Sequence, residues 1–298
     1  MLGIRRHYDR VLRRLRAGAA AVAAVTQPRN QTLLLVESID EAADRALWFA
    51  RRISSDSFRV LHVPQHGSDP GIRPRWFRHA PGAPPLEPLD PHGGTVDAVL
   101  EQVWRLPRGE SDFVTMVVPE LFRSESLLEE RHHRLELLVK LRLLSEPGVV
   151  VADVPTIRGG NGHEPKRLVA RVIVAGVDAA SMRAANYAGT LGIDDTKALH
   201  FAFSPADGAA VRRDWSDSGA RIPIEVDAAP YRDLGKPLLQ YIRSLTEDGE
   251  TNVLVVMPEL ITRGWRRALH NQRALYIKRL LLFEPGVILA SVPYQVMR

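Results

Sequence analysis

The chain of 298 residues contains no cysteine. That excludes a disulfide framework, a thiolate zinc site, an iron–sulfur cluster and a cysteine nucleophile, and points to a reducing compartment. Long apolar runs are also missing. The stretches 169–177 and 253–257 fall far short of the roughly 20 residues needed to cross a bilayer, and no apolar signal-type segment follows the basic start. The expectation is a cytoplasmic chain. Neither sign of charge dominates, since 40 Lys and Arg face 35 Asp and Glu for a net +5. A nucleic-acid partner is therefore not expected, in spite of a pI near 9.7. The 21 Gly and 21 Pro are scattered rather than gathered into low-complexity blocks, so the chain reads as globular.

Basic residues concentrate only at the start, where Arg5, Arg6, Arg10, Arg13, Arg14 and Arg16 surround Ile4, Tyr8, Val11, Leu12 and Leu15. This is the pattern of a short basic helix with an apolar stripe. Two readings stand side by side: a solvated arm packed on the fold, and a segment lying on an anionic membrane face.

The chain repeats itself. Met116-Val-Val-Pro-Glu-Leu121 recurs as Val255-Val-Met-Pro-Glu-Leu260, and the stretch from Lys140 to Pro155 recurs from Lys278 to Pro293, with Glu146-Pro-Gly148 matched by Glu284-Pro-Gly286. The same offset of 138 or 139 residues pairs Asp40 with Asp178, Arg45 with Arg183, Leu61-His62 with Leu199-His200 and Trp76 with Trp215. An offset that does not drift over about 125 residues identifies a tandem duplication.

Within the second copy, β-branched apolar runs alternate with helical patterns. Strands are predicted at 169–177, 197–202, 221–226, 252–257 and 287–292, with helices at 181–191, 205–219, 232–245 and 265–283. The first copy repeats this order with strands near 32–37, 58–63, 86–89, 112–118 and 149–154. Its Pro- and Gly-rich stretch 65–91 predicts a loop in place of the second helix. Alternation of this kind implies an α/β fold: two tandem Rossmann-like parallel five-stranded sheets, each doubly wound, with ligands expected at the carboxyl edges of the strands. The domains are predicted at 31–157 and 169–298, joined by a flexible linker at 158–168 and preceded by a basic helix and linker at 1–30. The apolar fifth strands would need cover at a sheet edge, so the two halves are expected to pair as a pseudo-dimer within one chain.

The residues Ile222-Pro-Ile-Glu-Val-Asp227, Pro230-Tyr-Arg-Asp-Leu234, Met257-Pro-Glu-Leu260, Leu269-His-Asn-Gln-Arg-Ala-Leu275 and Leu280-Leu-Leu-Phe-Glu-Pro-Gly-Val287 resemble the cytosolic C-terminal region of actinobacterial permeases. Those belong to the amino acid–polyamine–organocation (APC) superfamily, which includes potassium importers. The fold that this resemblance implies is like the universal stress protein domain, with strand order 3-2-1-4-5. It also favours a juxtamembrane role for the basic N-terminal helix, with a membrane-embedded permease domain or the membrane surface as partner, and a homodimer. The implied function is a non-catalytic regulatory or dimerisation module of an amino acid or potassium permease. The alternative is a free-standing tandem stress-type protein that binds an adenine nucleotide or cyclic dinucleotide.

One departure bears on cofactors. Nucleotide-binding stress proteins cradle phosphates in a glycine-rich loop after strand four, because only glycine lets backbone N–H groups approach the anion closely. Here the fourth strands run into Pro119-Glu120 and Pro258-Glu259 instead, so no cofactor is expected.

Candidate site residues follow from these positions. Asp40 and Asp178 stand where the stress-protein family contacts adenosine, and equally where an N-cap belongs. Pro119, Glu120, Pro258 and Glu259 lie at the carboxyl edge. With no Ser–His pair, metal-ligand spacing or second carboxylate beside them, the glutamates read as parts of a structural turn rather than as general bases, and no catalytic residue is assigned. His270 and Asn271, with nearby arginines, offer either an anion site or a solvated face. The adjacent His132 and His133 point about 100° apart on a helix and cannot share a metal. The repeated Trp76 and Trp215 read as packing residues.

Overall fold

A computed structural model describes residues 18–24, 28–54, 57–64, 70–90, 94–122, 134–158, 164–229, 233–261 and 272–295. The chain divides into two compact units, one of residues 29–166 and one in which the segment ending at residue 28 joins residues 167–298.

The first unit runs β1 (Asn30–Val36), α1 (Glu41–Ile53), β2 (Phe58–His62), α2 (Ile72–His79), β3 (Leu86–Pro88), α3 (Thr95–Trp104), β4 (Phe113–Phe122), α4 (Arg134–Leu143) and β5 (Val149–Ile157). Its strands are ordered β3-β2-β1-β4-β5 and pair in parallel. The second unit repeats the plan with β6 (Arg167–Ile173), α5 (Ala179–Gly189), β7 (Thr196–Ala202), α6 (Pro205–Asp217), β8 (Ile224–Ala228), α7 (Gly235–Thr246), β9 (Thr251–Ile261), α8 (Gln272–Leu281) and β10 (Val287–Gln295). Its order, β8-β7-β6-β9-β10, is also parallel throughout. These are the tandem five-stranded α/β sheets expected from the repeat. The order reverses between the first and fourth strands of each unit, which places the crevice of a doubly wound fold there.

The stretch 65–91 is not simply a loop, because α2 occupies Ile72–His79. Pro74 falls in its first turn, where a backbone N–H has no intrahelical partner to lose. Trp76, 2% exposed, anchors the helix and donates from Nε1 to the Pro84 carbonyl at 2.9 Å. Trp215 does the same to Ile222 at 2.9 Å. The repeated tryptophans are thus core residues whose indole N–H ties a helix to the strand that follows.

Each last helix ends at a Glu-Pro-Gly turn, with Gly148 and Gly286 at φ 75° and 78°. A side chain at Gly286 would be strained by that φ and would also stand 3.2 Å from the Thr251 carbonyl. The linker residues 159–163 lie outside the described residues.

Candidate functional site

The Pro-Glu-Leu segments are not turns. Both lie inside the fourth strands, which continue to Phe122 and Ile261. The reason is visible in the register. β1 accompanies β4 only as far as Leu34 opposite Val117, while β5 follows it to Ile157 opposite Phe122. In the second unit β6 stops at Val172 opposite Val256, and β10 continues to Gln295 opposite Ile261. Pro119 and Pro258 therefore stand where the strand has already lost its neighbour on one side, the edge-like setting in which a missing N–H is tolerated.

Strand alternation then decides where the glutamates point. Val253, Val255 and Met257 of β9 bury one face against Leu238 and Ile242 of α7 and Ile277 and Leu281 of α8. Glu259 continues that face two residues on. A carboxylate there, with its side chain 3% exposed, needs a counter-charge, and Lys278 of α8 supplies it in direct ion-pair contact. The first unit repeats the arrangement with Glu120 and Lys140. Lys140 also reaches Asp153 Oδ1 at 3.0 Å. The position of Asp153 is taken by Ser291 in the second unit. The two lysines were visible in the repeat, but nothing local linked them to the glutamates. A carboxylate held this way serves as a strut between strand and helix rather than as a free proton acceptor.

Asp40 and Asp178 act as N-caps. Asp40 Oδ1 accepts from the amides of Ala42 and Ala43 at 3.1 and 3.0 Å, and Asp178 Oδ1 accepts from Ser181 at 2.8 Å. Each cap is worth about 1 kcal/mol. The duplication also repeats a buried histidine near the end of each second strand. His62 Nδ1 is 2.9 Å from the Val36 carbonyl, and His200 Nδ1 is 3.1 Å from that of Val174. A carbonyl only accepts, so in both units Nδ1 carries the proton and ties the end of the second strand to the end of the first. His270, Asn271, His132 and His133 lie outside the described residues, as does the basic segment 1–17. The described residues 18–23 are helical and pack with the second unit, where Asn186 Nδ2 donates to the Val22 carbonyl at 2.7 Å.

A polar network that the sequence reading missed lies inside the stretch 169–177. Arg171 is 1% exposed. Its guanidinium donates to Tyr241 Oη at 2.7 Å, to both Asp195 carboxylate oxygens at 3.1 Å, and to the carbonyls of Ala170 and Asp195 at 2.9 and 3.0 Å. Tyr241 in turn donates to Glu225 at 2.9 Å. Burial works against the Asp195 charge, but the bonds from Arg171 outweigh it and hold the carboxyl below its usual range. The first unit has Leu33 in place of Arg171 and keeps a smaller cluster, in which Arg59 bonds Glu87 at 3.0 Å and Gln102 at 3.0 Å.

Burial, opposed by Arg171, pushes the Tyr241 phenol up to about 12 from an ordinary 10.0. Because the folded value is the higher one, the protonated phenol contributes stability that is fully present below pH 10 and is lost as the pH rises through about 12. Urea unfolding across that window should show the wild type losing stability more steeply than Tyr241→Phe. Equal slopes would contradict the assignment.

A cavity of about 420 Å³ opens at the amino edge of the second sheet, lined in part by Asn186, Gly192, Asp194 and Arg221. It lies at the edge opposite the caps and the Pro-Glu-Leu segments.

Two parallel sheets ordered 3-2-1-4-5, each with an aspartate cap after its first strand, define a tandem stress-protein-type α/β chain. A solved universal stress protein from Archaeoglobus fulgidus DSM 4304 superposes with a TM-score of 0.50 at 12% identity, covering 88% of this chain and 98% of its own, a likeness of fold alone. The model of the KimA potassium transporter C-terminal domain matches twice, at residues 28–156 and 165–294, and the chain belongs to that family. The potassium transporter KimA of Bacillus subtilis (strain 168) is 27% identical over 136 residues, which is 44% of this chain and 22% of that transporter. This chain thus matches less than a quarter of that relative's length, while carrying the family domain in duplicate. Among the described residues no helix is long and apolar enough to cross a membrane.

Proposed function

We propose that this chain is a non-catalytic regulatory and dimerisation module acting on the cytoplasmic side of an APC-type permease, with potassium or an amino acid as the transported solute. The observation that carries the reading is the family match across both halves. The chemistry supports it, because the glutamates at the carboxyl edges are held by lysines and the aspartates are committed to helix caps. The partner would be a membrane-embedded permease domain or the membrane surface, reached through the basic N-terminal segment. An antibody against this chain, applied to fractionated cells, should find it with the membranes. A species of 33.2 kDa confined to the soluble fraction would overturn the reading.

That outcome would favour a second reading, a free-standing tandem protein that takes an adenine nucleotide or cyclic dinucleotide, which the stress-protein fold supports. ATP itself is expected to bind weakly, because no glycine loop follows either fourth strand. Calorimetry giving a micromolar or tighter ATP dissociation constant that Asp178→Ala abolishes would contradict this.

A further inference from the structure

The two units differ where their first helix packs over the end of their last strand. In the first unit α1 lies on β1, β4 and β5. Three side chains there carry a buried polar atom without a hydrogen-bond partner: Arg45, itself half-buried, at Nε, Trp48 at Nε1 and Thr156 at Oγ1. Trp48 and Thr156 are 5% and 7% exposed. Arg45 and Trp48 are three residues apart on one helix and so share a face. Burial holds the Arg45 guanidinium below its ordinary pKa, and among the described residues no carboxylate answers it. An indole N–H can only donate, a guanidinium can only donate, and a hydroxyl can do so. Leaving three such donors unanswered in a dry place costs free energy that an acceptor would return.

In the second unit the same positions are occupied by Arg183, Asn186 and Tyr294, and they are answered from within the chain. The Tyr294 oxygen raises the Arg183 pKa against the larger, lowering effect of burial. Asn186 donates to the Val22 carbonyl at 2.7 Å. Val22, Leu260 and Tyr294 pack on Ala179, and a Cβ added to Gly18 would stand 3.4 Å from the Ala179 Cβ and 3.6 Å from the Tyr294 hydroxyl. The phenol and the helical segment around residues 18–23 thus fill and satisfy this spot. The first unit has the smaller Thr156 in place of Tyr294.

We propose that the first unit binds one small oxyanion group, a phosphate or a carboxylate, on the donors Arg45, Trp48 and Thr156, and that the second unit has closed the equivalent site with its own chain. This assignment stands apart from the permease reading and from the nucleotide reading, since its place is over α1 and β5 rather than in a loop after β4.

The test uses the full chain in an anion-poor buffer, titrated calorimetrically with inorganic phosphate in one arm and acetate in the other. One saturable site per chain is expected for at least one of the two anions, and the arm that responds identifies the group. Arg45→Met should weaken that binding at least tenfold. Trp48→Phe, which keeps the ring and removes the donor, should weaken it less, while Arg183→Met should leave it unchanged. With no anion added, Arg45→Met should unfold at the wild-type temperature or above it, because it removes a half-buried cation whose Nε has no acceptor. Absence of saturable binding in both arms, full binding in Arg45→Met, or an equal loss in Arg183→Met overturns the proposal. If Arg45→Met does not fold, the comparison of Trp48→Phe with wild type decides it by the same criterion.

Discussion

Replacing Arg171 with alanine should destabilise the chain by about 3–5 kcal/mol, because it empties a fully buried side-chain position and removes the hydrogen bonds made there. The guanidinium satisfies Tyr241, both oxygens of Asp195 and two main-chain carbonyls at once, and it is almost wholly shielded from water. Taking it away leaves the Tyr241 oxygen without this donor and removes the added bonds to the carbonyls of Ala170 and Asp195, which keep their strand partners. Asp195 is less exposed to loss, since Arg167 remains at 3.1 Å and Lys197 at 3.9 Å. Arg171→Leu is therefore expected to recover part of the deficit, because it fills the space with the residue that the first unit carries at Leu33. Chemical denaturation of the two variants measures this. An alanine variant within about 1 kcal/mol of wild type would show that the network contributes little, as exposed pairs do.

The second large effect is expected at Glu259. Lys278→Ala takes from that carboxylate, with a side chain 3% exposed at the end of an apolar strand face, the cation in direct contact with it. A loss of about 3–5 kcal/mol follows. Adding Glu259→Gln to Lys278→Ala should restore much of it, so the double-mutant cycle would show strong coupling rather than additivity. In the first unit, Lys140→Ala strands two carboxylates, Glu120 and Asp153, which can no longer share a cation. That variant should be at least as damaging. Additive losses in the cycle would mean that the pair does not act as a unit.

Much of the fold was legible from residue order. The 138-residue offset located both copies, and apolar runs located every strand, although a boundary of β4, β5, β6, β8, β9 and β10 differs by three or four residues, because a buried parallel strand shows as a continuous apolar stretch whose ends depend on its neighbours. Asp40 and Asp178 were legible as caps, since capping depends on residues two or three positions away. Two kinds of signal were misread for definite reasons. Proline suggested a loop at 65–91 and a turn after Val118, yet Pro74 falls in a first helical turn and Pro119 on a strand that has lost one neighbour. Arg171 was hidden because one charge inside nine mostly apolar residues does not disturb the pattern of a strand.

What the sequence determined by itself is therefore local or periodic: the duplication, the β-α alternation, the helix caps and the lack of a glycine loop after either fourth strand. The tertiary structure alone decided the pairings of Glu120 with Lys140 and of Glu259 with Lys278, the company that Arg171 keeps, and the difference between an unanswered Arg45 and an answered Arg183. These depend on which strand ends first, on which face an alternating residue lands, and on which distant segment packs over it. Arg45 and Arg183 occupy equivalent places in the repeat, and among the described residues the Tyr294 oxygen near Arg183, where the first unit carries Thr156, distinguishes them.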